Sequence, residues 1–116
     1  MKRLDEVLGE LPTVARTEVL AWIEAEWVRA DADDAGPRFQ PVDVARLRLI
    51  RELRQDLEIG SEAIPIVLSL MDEMYTLRRR LSALARALAE TPDEVRSNVR
   101  TRCRAYLAVE ETAEDA

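Results

Sequence analysis

Eight apolar residues at alternating spacings of four and three run unbroken through the second half of this 116-residue chain: Ala63, Val67, Leu70, Met74, Leu77, Leu81, Leu84 and Leu88. That a/d repeat commits the segment to a helix that packs against another helix. Beside it, between Ser61 and Leu77, runs a second apolar stripe of Ile64, Leu68, Met71 and Tyr75. The helix thus begins with a wide apolar face, suited to a globular core, and ends with a narrow one, suited to a partner helix. Its expected span, about Ser61 to Ala89, is roughly 45 Å at 1.5 Å per residue. A body built from the first 60 residues is narrower than that, so the end of the helix must project or be covered. Leu77, Leu81, Leu84 and Leu88 would otherwise forfeit roughly 1.5–3 kcal/mol of burial each.

The residues before the seam read as short helices around a small hairpin. Leu4, Val7, Leu8 and Leu11 form one apolar stripe, stopped by Pro12. Thr13 or Thr17 can cap a second helix reaching about Trp27, with Val19, Leu20, Ile23 and Trp27 inward and Trp22 to one side. Trp27-Val28-Arg29 and Pro37-Arg38-Phe39 flank an Asp/Gly turn, which predicts a β-hairpin anchored by Trp27 and Phe39. Pro41 opens a third helix to about Glu58, with Ala45, Leu49, Ile50, Leu53 and Leu57 buried and Arg46, Arg48, Arg51 and Arg54 on its charged side. Gly60 breaks it and Ser61 caps the seam helix. Thr91-Pro92-Asp93-Glu94 has the form of a capping box and starts a fifth helix to about Val109, striped with Val95, Val99, Cys103, Tyr106 and Leu107. The fifth helix either folds back over the seam or leaves it for a second copy, and both arrangements fit one bundle. The expected organisation is a module over residues 1–60, the seam helix over 61–90, the further helix over 91–109 and an acidic, disordered tail over 110–116.

Composition narrows the chemistry. There is no histidine and one cysteine, Cys103, so the commonest general base and a zinc site of the usual kind are both missing. The three glycines, at 9, 36 and 60, build no phosphate loop. Neither an enzyme nor a cofactor or metal site is indicated. No apolar run is long enough to span a bilayer and the first residues lack a signal-peptide core, so a cytoplasmic protein with no membrane contact is expected. The net charge of −6 is uneven: residues 1–36 carry four basic and nine acidic side chains, whereas residues 37–109 are net positive. An acidic front end repels phosphate backbones.

The order short helix, turn, helix, hairpin, helix, long helix resembles the MerR-like winged helix-turn-helix, a mainly α fold with a small β-hairpin wing. Phe39 to Leu53 (Phe39-Gln40-Pro41-Val42-Asp43-Val44-Ala45-Arg46-Leu47-Arg48-Leu49-Ile50-Arg51-Glu52-Leu53) carries that likeness. Within the superfamily, Leu53-Arg54-Gln55-Asp56-Leu57 followed by Ile64-Pro65-Ile66-Val67-Leu68-Ser69-Leu70-Met71-Asp72-Glu73 resembles the CbpM-like chaperone modulators. The resemblance covers residues 4 to 88. It implies a protein that binds the J-domain of a DnaJ-like, CbpA-type co-chaperone and inhibits its co-chaperone and DNA-binding activities. J-domains present a basic helix, and a carboxylate surface competes for such a helix. Glu18, Glu24, Glu26, Asp56, Asp72 and Glu73 are the candidate acids, and Leu77, Leu81, Leu84 and Leu88 the candidate homodimer interface.

The alternative is a MerR-type transcriptional regulator reading DNA with its second helix and wing. The family's Arg-Tyr-Tyr-Glu-like run falls here on Leu20, Ala21, Trp22 and Ile23, and Asp31, Asp33 and Asp34 occupy the wing tip. The phosphate-contacting side chains are replaced, which argues against DNA. The arginine row at 46, 48, 51 and 54 keeps that alternative open, unless those arginines pair with Glu52, Asp56 and the acidic first helices.

Overall fold

The computed structural model describes residues 1–115, and the chain divides into two units, Met1–Asp72 and Glu73–Ala116. The first unit contains β1 (Lys2–Arg3), α1 (Leu4–Glu10), α2 (Arg16–Glu24), β2 (Asp31–Asp33), β3 (Gly36–Phe39), α3 (Pro41–Arg51), a π-helical turn (Glu52–Asp56) and the start of α4 (Ile64–Ala89). The second contains the rest of α4 and α5 (Asp93–Asp115). The expected mainly helical architecture with a small β wing is the one the chain adopts.

One core organises the first unit. Val7, Val19, Phe39, Leu47, Ile50 and Ile64 are fully enclosed, so α1, α2, β3, α3 and α4 each contribute to it. At roughly 1.5–3 kcal/mol per buried side chain, this cluster is what holds the four short, individually marginal elements against the start of α4. Ile64 and Leu68 belong to it, which carries the first unit on to Asp72 instead of ending it at residue 60. The buried stripe of α3 is Val44, Leu47 and Ile50, one residue in three, and Leu53 continues it into the π turn. Ala45 and Leu57, expected in that stripe, are exposed, and Leu49 is half-buried. The π turn is the reason Leu57 escapes, because the wider winding after Glu52 turns the chain away from the core.

Three helices start with the same device. A carboxylate at the third helical position accepts from the backbone N–H just before the helix: Glu6 from Arg3 at 3.3 Å, Glu18 from Ala15 at 3.0 Å, and Asp43 from Gln40 at 3.0 Å. This satisfies a backbone donor that the helix leaves unpaired and places negative charge at the positive end of the dipole. Neither Thr13 nor Thr17 caps α2; the first intrahelical bonds of that helix go to Ala15. α2 ends at Glu24, short of the expected Trp27, because Glu26 takes a left-handed conformation with φ 63°. Glu58, at φ 54°, does the same beyond the π turn, two residues ahead of the expected break at Gly60. There the Ile59 N–H reaches back to the Leu53 carbonyl at 2.8 Å.

The wing has three strands in the order β1-β3-β2, all antiparallel, with Lys2 opposite Phe39 and Asp31 opposite Arg38. The expected first strand at Trp27–Arg29 lies instead at Asp31–Asp33, and β1 is an addition to the hairpin. Gly36, at φ 107°, closes the turn in a conformation that a side chain would resist. The Asp33 carboxylate braces it by accepting from the Ala35 N–H at 2.9 Å.

In the second unit the fifth helix does not cover the seam. Leu77, Leu81 and Leu84 are exposed, Leu81 at 66%, while Leu88 is half-buried, and Val95 and Val99 are exposed on α5. Thr91 does not cap α5: its hydroxyl donates to the Leu88 carbonyl at 2.6 Å, closing α4, and the first α5 bond runs from the Arg96 N–H to the Pro92 carbonyl at 3.1 Å. Nor does α5 end at Val109. It continues to Asp115, so residues 110–115 of the expected disordered tail are helical, and Ala116 lies outside the described residues. No proline or glycine interrupts that stretch. No described helix is long and apolar enough to cross a membrane.

Candidate partner-binding surface

The outward side of α2 is Arg16, Thr17, Leu20, Ala21 and Glu24. The register differs from the sequence expectation at two positions. Trp22 is buried in the core, and Leu20 is 44% exposed. With Val19 and Trp22 pointing inward three residues apart, Leu20 and Ala21 face water. The one cation on this helix, Arg16, is tied to Asp5 on α1. The surface is therefore apolar and acidic where a DNA reader would carry cationic phosphate contacts.

The tip of the wing carries the same sign. Asp31 and Asp34 are exposed. Arg3 donates two hydrogen bonds to the Asp33 carboxylate, at 2.7 and 2.8 Å, and the Arg38 Nε lies 3.6 Å away. The Arg3 hydrogen bonds, the Ala35 N–H and the nearby positive charges together hold the Asp33 carboxyl down at about 2. Glu10 is likewise held below its ordinary value, first by Lys2 and then by the charge of Arg48.

The arginine row of α3 is spent inside the molecule. Arg46 grips Asp72 of α4 with two bonds, at 2.7 and 3.3 Å, and also donates to the Trp27 carbonyl. Arg48 pairs with Glu10 at 3.2 Å, Arg51 with Asp56 at 3.6 Å, and Arg54 donates to the Ile59 carbonyl at 2.9 Å. Three of the four arginines are therefore ion-paired inside the molecule, Arg48 and Arg51 with the expected partners and Arg46 with Asp72, while Arg54 is held by a backbone carbonyl.

The six candidate acids separate by role. Glu18 is bound to its own helix start, Asp56 to Arg51 and Asp72 to Arg46. Glu24 and Glu26 are exposed and, among the described residues, have no ion-pair partner. Glu73 is exposed at the start of the second unit. Glu26 and Asp72 share a groove of about 410 Å³, lined also by Trp27, Val28, Arg29, Val42, Asp43 and Arg46. Val42 is exposed there. Leu20 and Val42 are the residues that sequence reasoning missed; an apolar residue on the polar side of its helix was the available signal. Among the described residues no cluster of three or more Asp, Glu or Cys side chains is placed to hold a metal ion.

A family model described as MerR HTH family regulatory protein matches residues 6–86, well over half of the chain. No curated protein and no solved structure matches it. The matched region covers most of the helix-turn-helix, the β2–β3 hairpin of the wing and most of α4; β1 and α5 lie outside it.

Proposed function

The chain belongs to the MerR HTH family of regulatory proteins, and within that family we propose that it is a chaperone modulator of the CbpM type. It binds the J-domain of a DnaJ-like co-chaperone and restrains that protein's co-chaperone and DNA-binding activities, without catalysis of its own. The observation that carries this reading is the outward side of α2. Leu20 and Ala21 stand in the open beside Glu24 and Glu26, and the only cation on the helix is tied to Asp5. A basic helix docked there would meet free carboxylates and bury apolar surface. Glu24, Glu26 and the groove past Trp27 form the contact, whereas Glu18, Asp56 and Asp72 hold the fold. The exposed seam of Leu77, Leu81 and Leu84 suits pairing of two copies through α4.

The test is a calorimetric titration with a purified J-domain from the same cell, at low and high salt, alongside a low-salt gel shift with duplex DNA. Binding that weakens as salt rises, with no sequence-selective shift, fits the proposal. An absence of J-domain binding, or a sequence-selective micromolar shift, refutes it.

A further inference from the structure

The arginines of the two units are used differently. In Met1–Asp72 seven of nine cationic side chains are ion-paired, whereas in the second unit Arg96 alone is, among the described residues. α5 holds four of these arginines beside an uncovered apolar stripe. Its a/d positions are Val95, Val99, Arg102, Tyr106, Val109 and Ala113, all exposed. One of the six is a cation at a core position, and it specifies what covers the stripe.

We propose that α5 pairs antiparallel with α5 of a second copy, in the register that sets Arg102 against Tyr106 of the partner subunit. In that register Val95 meets the partner's Ala113, and Val99 meets the partner's Val109. The two central layers each place a guanidinium beside a phenol ring. On one flank Arg96 faces the partner's Glu110, twice by symmetry, and Cys103 faces the partner's Cys103 at the two-fold axis. On the other flank Ala105 meets the partner's Ala105, which lets the backbones approach. A parallel pair would stack Arg102 on the partner's Arg102, a like-charge contact in the seam. An antiparallel arrangement on α4 of a second copy would set Arg102 against Leu81, or against Met74 with Arg78 beside Arg96. The α5–α5 register alone gives every charged side chain on the stripe and its Cys103 flank a complementary neighbour and uses the helix from Val95 to Ala113. The inference is independent of the J-domain reading and of the α4 seam.

Cross-linking of the full chain with a short bis-maleimide tests it. The unaltered protein forms a covalent dimer through Cys103, and Cys103→Ala does not. Arg96→Cys in a Cys103→Ala background does not cross-link to itself, because like positions 96 sit about 21 Å apart along the antiparallel axis. Mixed with Glu110→Cys in the same background, it does. Arg96→Glu lowers the Cys103 cross-link about tenfold by turning both flanking pairs repulsive, and Glu110→Arg in the same chain restores it. Circular dichroism reports whether each variant keeps its helices. Leu81→Asp leaves the Cys103 cross-link in place, so a failure of α4 pairing is read separately. Self-cross-linking of the Arg96→Cys variant, or no covalent dimer from the unaltered protein, overturns the proposal.

Discussion

Arg46 is tied to two elements at once, and removing it should cost more than removing the carboxylate it grips. Asp72→Asn deletes the ion pair while leaving a side chain that still accepts a hydrogen bond. The Asp72 side chain is 61% exposed and that of Arg46 27%, so screening keeps the loss to about 0.5 kcal/mol. Arg46→Ala removes the same pair, takes the charged donor from the Trp27 carbonyl and strips the aliphatic stem that lines the groove. A part-buried, charge-assisted hydrogen bond adds about 1.5–3 kcal/mol, so the total is about 2–3.5 kcal/mol. The urea midpoint should fall accordingly, with an unchanged slope. The double variant should match Arg46→Ala alone to within about 0.5 kcal/mol, because the pair is already gone. Equal losses for the two single variants would refute the idea that Arg46 acts chiefly through Trp27. In the J-domain titration Asp72→Asn should change affinity less than Glu24→Gln or Glu26→Gln.

Other outcomes follow from single features of the structure. Glu58→Gly should stabilise the protein by about 1 kcal/mol in thermal or urea unfolding, since it relieves a left-handed conformation at φ 54° where a side chain is penalised. The Asp33 carboxyl is depressed to about 2 in the folded state, so its contribution is complete above the unfolded value near 4 and is lost as pH falls through 2. An NMR titration of the Asp33 carboxyl should therefore show a midpoint near 2, and Arg3→Ala should move it up toward the unfolded value. Leu47→Ala should cost about 2–5 kcal/mol, because the side chain is fully enclosed between α3 and its neighbours. Leu81→Asp should leave the melting of the first unit unchanged while breaking the proposed α4 pairing between copies, read as analytical ultracentrifugation of a Cys103→Ala, Arg96→Glu background.

The elements legible in the sequence were those specified locally. Pro12 and Pro41 bound helices, and the seam of α4 stands out by its spacing alone. What stayed hidden depended on residues far apart or on backbone geometry. β1 is two residues long, too short for alternation, and exists only because β3, more than thirty residues later, offers it a partner. The π turn at Glu52 has no compositional mark, and without it Leu57 reads as core. The positive φ at Glu26 ends α2 early, at a residue type that rarely adopts it, which moved the expected first wing strand. In the candidate surface, the excess of acid around α2 was readable from charge. The bidentate grip of Arg46 on Asp72, across 26 residues, was not, and it turns an expected contact residue into a brace. The Leu20–Trp22 exchange was a choice between two apolar residues two positions apart, which only the packing of Trp22 against the core decides.

The central claim is that the outward side of α2 and the neighbouring groove receive a basic protein helix instead of a phosphate backbone. Amide chemical-shift mapping on the isotope-labelled full chain tests it most directly, with an unlabelled J-domain and a DNA duplex added in separate experiments. The account predicts that the J-domain perturbs Leu20, Glu24, Glu26, Trp27 and Val42, and that duplex DNA leaves them unmoved. Perturbation of those residues by DNA, or J-domain shifts confined to other surfaces, would contradict it.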